Sequence, residues 1–478
     1  MSPEKGVLLH ISSLPGDFGI GDLGPAAYEF CDYLAAEGYQ YWQILPLNHP
    51  GYGNSPYNPI SAFALNPYLI SPELLLQDGL VTADELEAAR LPRSCQVQYE
   101  SVYIAKDRLL NQAAKRYLQR HDISEYIRLH AKYLKPYLCF LNLAHIYGDN
   151  SWIDWDPDHR NYSEALYEFM RELYHERMDI IAAQQAIVYD QIHRLKYYMD
   201  ELGIKLIGDI PLYLSYQSSE VWAQHELFDL QANGKRNSVA GVPPDAFSAT
   251  GQLWGNPIYR WDRMKETGFE LFMDRIRSVL DYITVLRLDH FIGYVNYWKI
   301  DAACKDATLG AWTDAEPDAF FTRLMAEFPK ERFIAEDLGF LNPKVTGYRD
   351  QHGLPGMIIL QFCFEESVPI PENYPENCVI YTGTHDNPTC VEWWNELEPD
   401  SPSKRNLVSY LANHPKINGG DAVGEDNIAQ IMMRIIQTAP CKLAIFTMQD
   451  LLGLGDTARM NIPGTALGNW QWRMEYSV

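Results

Sequence analysis

The sequence predicts an α/β protein: a (β/α)8 barrel with a large helical insertion between strands two and three and further loop insertions at the carboxyl-terminal rim. Three observations carry this expectation. Eight short β-branched or aliphatic runs recur along the 478 residues. They are continuously apolar, as strands covered on both faces by helices must be. Longer segments with apolar residues three to four apart separate them. An open doubly wound sheet is the competing arrangement, and the count of eight favours closure.

The runs are Val7–Ile11, Tyr41–Leu47, Leu206–Leu212, Thr284–His290, Phe333–Leu338, Met357–Phe362, Val379–Asp386 and Leu443–Asp450. Each ends in polar, Gly or Pro residues, where a strand would pass into a loop. About 160 residues separate the second run from the third, far more than a crossover needs. Tyr99–Gln119, Glu125–Tyr147 and Glu164–Leu202 have helical spacing and few breakers, so residues 73–202 are expected to form a helical subdomain. Irregular stretches follow the third and fourth runs, at Ser215–Trp261 and Asp301–Pro317. Loops of that length in a compact domain are usually functional, and residues 215–261 are read as an active-site loop region. The whole chain, 1–478, is read as one catalytic barrel.

Composition narrows the partners. Thirty-nine basic against 63 acidic residues give a net charge of −24, which repels phosphate backbones and anionic lipid, so neither nucleic acid nor membrane is an expected partner. Aromatic residues make up 13% of the chain, and many stand beside Gly, Pro or Asn, a setting that suits a polar ligand with apolar faces such as a sugar. Eight scattered cysteines without C-x-x-C spacing read as reduced thiols, and no export or membrane-spanning signal is recognisable, so a cytoplasmic location is expected. Asp154-x-Asp156-x-Asp158 resembles the start of a calcium loop, but His159 and Ala165 stand where Gly and a bidentate Glu are required. Gly453-Leu454-Gly455 lacks the Lys of a phosphate-binding loop. No metal and no cofactor are expected.

In such a barrel the chemistry sits at the carboxyl ends of the strands. Five runs end in ionisable groups: Gly208-Asp209-Ile210, Arg287-Leu288-Asp289-His290, Glu336-Asp337, His385-Asp386 and Gln449-Asp450. One carboxylate after a strand is commonly a helix cap, but several meeting on one rim would drive their pKa values apart. Arg287 and Asp289 are two apart on one strand, share a face, and should hold Asp289 ionised as a nucleophile. Glu336 follows an apolar run, with Arg332 at the far end of its segment, and desolvation suits it to general acid work. Two carboxylates flanking a glycosidic bond are the minimum equipment for its cleavage, and a separation of about 5–5.5 Å would imply a retaining, covalent mechanism.

The segment GVPPDAFSATGQLWGNPIYRW, Gly241 to Trp261, resembles the signature loop of the amylomaltases, the 4-α-glucanotransferases also called disproportionating enzymes in plants. HISSLPGDFGIGDLG, WQILPLNHPGYGNSPYNPISAFALNPYLI, LRLDHFIGY, IAEDLG, TGTHDN and RMNIPGTALGNWQWR are similar to that family in order and spacing, from about His10 to Arg473. The resemblance implies a nucleophile at Asp289, an acid/base at Glu336, and at Asp386 a carboxylate that grips sugar hydroxyls, with His385 beside it. It further implies glucan contacts at Arg287, Tyr57, Asp209, Asp245, Phe247, Gln252, Trp254 and Asn469. It implies maltooligosaccharides and α-1,4-glucans as donor and acceptor. Tyr52, in a Gly-flanked turn, is read as a stacking platform for a glucan chain. Two positions depart from the family pattern: Ile292 replaces Arg after Asp289-His290-Phe291, and Pro388 replaces Asp after Thr384-His385-Asp386-Asn387. An α-amylase-like hydrolase shares the same carboxylates, and a glucan-binding module without turnover could retain the barrel.

Overall fold

The computed structural model describes residues 3–244, 248–339, 342–366, 370–419, 421–465 and 467–478, with Glu366 described by its backbone alone. Twelve strands occur among these residues. In chain order they are β1 (Glu4–Leu8), β2 (Tyr41–Gln43), β3 (Lys205–Ile210), β4 (Ser238–Val242), β5 (Gln252–Pro257), β6 (Val285–Leu288), β7 (Asn296–Asp301), β8 (Gly310–Asp314), β9 (Phe333–Ala335), β10 (Gly356–Ile359), β11 (Cys378–Tyr381) and β12 (Leu443–Thr447).

Eight of them form one parallel sheet in the order β10-β11-β12-β1-β2-β3-β6-β9, the eight runs expected from sequence. Leu206, Leu286, Ile380 and Ala444 are almost wholly buried, as parallel strands under helices require. Gly6 lets β1 lie between its neighbours: a Cβ there would sit 2.5 Å from Ile445 Cδ1 and 2.8 Å from Tyr41 Cβ. The barrel closes between β9 and β10. The Ala335 N–H donates to the Pro355 carbonyl (2.9 Å), and the Met357 N–H donates to Asp337 Oδ1 (2.8 Å). Arg349 pairs with the other oxygen of Asp337.

Six α-helices lie between β2 and β3. The pattern seen at Tyr99–Gln119 becomes the helix Tyr99–Arg120. The stretch Glu125–Tyr147 divides into Ser124–Leu129 and Ala131–Tyr147, because His130 leaves the helical region (φ −103°, ψ 13°). Glu164–Glu201 runs through a kink at Tyr174 (φ −129°). Periodicity cannot register a one-residue break of this kind, since the apolar spacing continues across it.

The stretches read as irregular hold three strands of a second sheet, antiparallel, in the order β5-β4-β7-β8, whose remaining strand, β7, ends where the second stretch begins. Its strands belong to the loops after β3 and β6, so it stands over the carboxyl-terminal rim. SVAGV and QLWGNP are short and contain Gly or Pro, which disguises them as loop in the sequence. The strands stop short of the expected ends, and two of them pass into helix. β10 passes directly into the helix Leu360–Glu366, and Asp450 lies in the helix Met448–Leu451. There Asp450 accepts from the Thr382 hydroxyl (2.6 Å) and the Cys390 N–H (2.7 Å). Asp337 and Asp450 are thus structural carboxylates, both engaged by backbone donors. No helix among the described residues is long and apolar enough to cross a membrane.

The seam gives a stability prediction. Asp337→Ala leaves the Met357 N–H without its acceptor and Arg349 with only the exposed Asp350, and should destabilise the fold by about 3 kcal/mol, read as a lower urea midpoint. Asp337→Asn, which can still accept from Met357, should lose less.

Candidate active site

The site begins with a register. In the parallel pairing of β3 with β6, Asp209 stands opposite Arg287. Arg287 Nη2 lies 2.6 Å from Asp209 Oδ2, 2.8 Å from Asp289 Oδ1 and 3.1 Å from the Tyr57 hydroxyl. The Tyr57 hydroxyl in turn donates to Asp209 Oδ2 (2.5 Å). Burial alone would weaken the arginine's charge, but Asp209, Tyr57 and Asp289 outweigh it and hold the guanidinium firmly protonated. Arg287, Asp289, Asp209 and Tyr57, all predicted site residues, therefore meet in one network.

Glu336 follows β9 directly. Its Oε2 accepts the backbone N–H of His290 at 2.7 Å. That donor is available because His290 adopts left-handed backbone angles (φ 49°, ψ 54°), turning the chain after Asp289 back toward β9. The Phe291 N–H also donates to the Glu336 carbonyl (2.9 Å). Gly293 makes the turn possible, since a Cβ there would meet Leu212 Cδ2 at 2.3 Å and His290 Cδ2 at 2.8 Å. Arg332, the basic neighbour in sequence, is spent at the opposite end of the strand on the carbonyls of Leu280, Ile283 and Thr284.

The electrostatics separate the two carboxyls. Burial, then the charge of Asp289, raises Glu336 well above its ordinary range against the charge of Arg287, and no cation among the described residues forms an ion pair with it. Asp289 is also pushed up, to about 7: burial and the charges of Asp209 and Asp386 outweigh Arg287. The sequence led us to expect Arg287 to hold Asp289 ionised; in the structure that guanidinium is shared with Asp209. A quarter of the Asp289 side chain remains accessible, and it alone of the pair bonds to Arg287. Of the pair, Glu336 therefore holds its proton more firmly, and Asp289, the one bonded to Arg287, is the first to ionise.

Asp386 lies in the loop after β11, and nearly half of its side chain is open to solvent. Its charge contributes to the raised pKa of both Asp289 and Tyr57, which puts it at the same pocket. Asn461 Nδ2 donates to its Oδ1 (2.6 Å), and His385 Nε2 is 3.5 Å from the same oxygen. Burial holds His385 neutral, and its ring stacks on Tyr57 (centroids 5.1 Å, 13°) and lies 5.9 Å from Trp470.

The remaining predicted residues occupy varied positions. Trp254, on β5, packs edge-on against His290 (4.8 Å, 82°) and donates to Gln252 Oε1 (3.1 Å). Tyr52 is 79% exposed, in the turn Tyr52–Asn54. Asn469 spends its amide on its own loop: Oδ1 accepts the Ile462 N–H, and Nδ2 donates to the Thr465 carbonyl and hydroxyl. Asp245 and Phe247 lie outside the described residues. Ile292 is buried, and the Pro388 carbonyl accepts from Gln361 Nε2 (2.9 Å). Sequence reasoning missed Asn461, Trp470 and the His290 amide. The first two stand in the quoted RMNIPGTALGNWQWR motif, but only the fold brings that segment beside Asp386. Among the described residues no cluster of three or more His, Cys, Asp or Glu side chains is arranged to hold a metal.

A parallel barrel with two neighbouring carboxyls of unequal acidity at its carboxyl-terminal rim has the equipment of an enzyme that acts on glycosidic bonds. The profile of the 4-alpha-glucanotransferase family matches residues 9–477, and the chain belongs to that family. It is 37% identical to the 4-alpha-glucanotransferase of Streptococcus pneumoniae over 98% of this chain and 93% of the relative. It is 39% identical to the Aquifex aeolicus enzyme of the same name, over 98% and 95% of the two chains. It superposes on an amylomaltase from Streptococcus agalactiae in complex with acarbose with a TM-score of 0.91 and 34% identity, covering 99% of this chain and 95% of that one.

Two predictions follow from the electrostatics. Arg287→Met removes the cation from Asp209 and Asp289, so the acid limb of kcat/KM should move to higher pH, with a loss on the order of 10²-fold at pH 6. Glu336 carries a raised folded-state pKa, so its ionisation opposes folding above its ordinary value of 4.5. Glu336→Gln should therefore melt higher than the parent at alkaline pH, and the difference should vanish as pH falls below 4.5.

Proposed function

We propose that this enzyme transfers α-1,4-glucan segments between maltodextrins by a retaining double displacement. Asp289, ionised beside Arg287, attacks the anomeric carbon while Glu336 protonates the departing glycosidic oxygen, leaving a glucosyl ester on Asp289. Glu336, now a base, takes the proton from the 4-hydroxyl of an incoming glucan, whose oxygen displaces the ester and restores the α configuration. Asp386 accepts hydrogen bonds from sugar hydroxyls and stabilises the positive charge that develops at the ring.

The observation that carries this reading is the unequal environment of the neighbouring carboxyls: Glu336 without a cation and strongly raised, Asp289 bonded to Arg287. The acarbose bound by the Streptococcus agalactiae relative supports a saccharide-shaped cleft. Preference for a sugar over water requires a dry site. We assign that task to the loop Gly241–Trp261 within the active-site loop region 215–261: Trp254 lies against His290, and Gln252, Asp245 and Phe247 join it in holding glucan. Tyr57, His385 and Asp209 serve on the opposite side, Asn469 shapes the loop beside Asp386, and Tyr52 offers an outlying platform. We read residues 73–202 as a subdomain flanking this cleft within the single barrel, and place the reaction in the cytoplasm, in keeping with eight free cysteines.

Incubation with maltotriose tests the reading. Glucose should appear together with longer maltodextrins, and glucose and maltose alone would mean hydrolysis. Glu336→Gln should lower kcat by at least about 10²-fold, and an α-glucosyl fluoride donor should label Asp289.

A further inference from the structure

Arg459 belongs to the segment after β12 and does not enter the mechanism above. Its guanidinium reaches three separate stretches of chain. Nη1 donates to Glu392 Oε1 (3.0 Å), Nη2 to the Asp386 carbonyl (3.3 Å) and Nε to the Asn461 carbonyl (3.1 Å). Glu392 is a firm anchor: it is 6% exposed, and its other oxygen accepts the Thr389 N–H (3.2 Å) in the capping box of the helix Cys390–Glu396. The two carbonyls that Arg459 holds belong to the two residues whose side chains bond to each other, Asn461 Nδ2 to Asp386 Oδ1 (2.6 Å). The Asn461 N–H completes the tie on the His385 carbonyl (3.1 Å).

We propose that Arg459 is a positioning residue for Asp386. By tying the main chains of Asp386 and Asn461 to the buried Glu392 carboxylate, it aims the Asn461–Asp386 pair into the cleft. An exposed carboxylate on a loop otherwise samples several orientations, and misplacement by about 1 Å can cost on the order of 10²-fold in rate. The guanidinium spreads its donors over three nitrogens, each meeting a different acceptor; a lysine carries its three donors on one nitrogen, so at this position it would keep the charge beside Glu392 and lose the carbonyls. The inference rests on the role given to Asp386 above, and the test separates the two.

Steady-state disproportionation of maltotriose by the full-length enzyme tests it, with Arg459→Lys, Arg459→Ala, Asn461→Ala, the Arg459→Ala/Asn461→Ala double variant and Asp386→Asn. Arg459→Lys, the variant that keeps the Glu392 charge satisfied, should lose about 10²-fold in kcat with KM moving less than about threefold. Arg459→Ala should add little to Asn461→Ala, because both release the same carboxylate. Wild-type kcat in Arg459→Lys, or losses that multiply in the double variant, would overturn the assignment. If Asp386→Asn is inactive while Arg459→Lys turns over normally, this inference alone fails. Full activity in Asp386→Asn would remove the role of Asp386 itself and this inference with it.

Discussion

The site is organised around one buried guanidinium. Arg287 is 4% exposed, and a charge so placed is tolerable only with close partners. Asp209 from the neighbouring strand, Asp289 from its own strand and the Tyr57 hydroxyl from the loop after β2 supply them. Asp209 and Tyr57 are themselves bonded, so three elements distant in sequence are locked by one nitrogen and the oxygens around it. The parallel register of β3 on β6 is the geometric condition for this. A slip of one residue would turn Asp209 to the other face of the sheet and leave the arginine short of charge.

From that centre the carboxyl groups are graded by their surroundings. Glu336 receives a backbone N–H but no cation and keeps its proton. Asp289 shares Arg287 and titrates lower. Asp386 stands half in solvent, oriented by Asn461 and His385. Like groups given unlike environments acquire unlike roles, which is the means by which one pocket holds an acid and a nucleophile together. The grading opposes stability, since burying carboxyls beside one another favours the unfolded chain at neutral and alkaline pH. Closure of the barrel through Asp337 and Arg349, and the cap that Asp450 provides at Cys390, are rim carboxylates used for the opposite end.

The second sheet and the segment after β12 complete the site from above. β5 brings Trp254 against His290, whose amide is the donor to Glu336, so the loop region and the acid are joined through one residue. On the other side Arg459, Glu392 and Asn461 brace the loop that carries Asp386. Both braces pass through backbone atoms, the His290 amide on one side and the Asp386 and Asn461 carbonyls on the other, which a sequence does not distinguish from any other peptide group.

The sequence by itself determined the eight barrel strands, because continuous apolar runs ending in polar residues are a local signature. It also determined that Asp289 and Arg287 share a face, because the strand period is two. The motifs that resemble the amylomaltases marked nearly every side chain now found near the pocket. The tertiary structure decided what depends on distance through space. It showed that Arg287 is divided between two aspartates, that Asp337 and Asp450 are structural, and that short Gly-containing strands pair into a sheet over the rim. It also showed that His130 breaks a helix whose apolar spacing runs on unbroken. Charge sharing, register and burial are properties of neighbours, and for these residues the neighbours lie tens to hundreds of positions away in the chain.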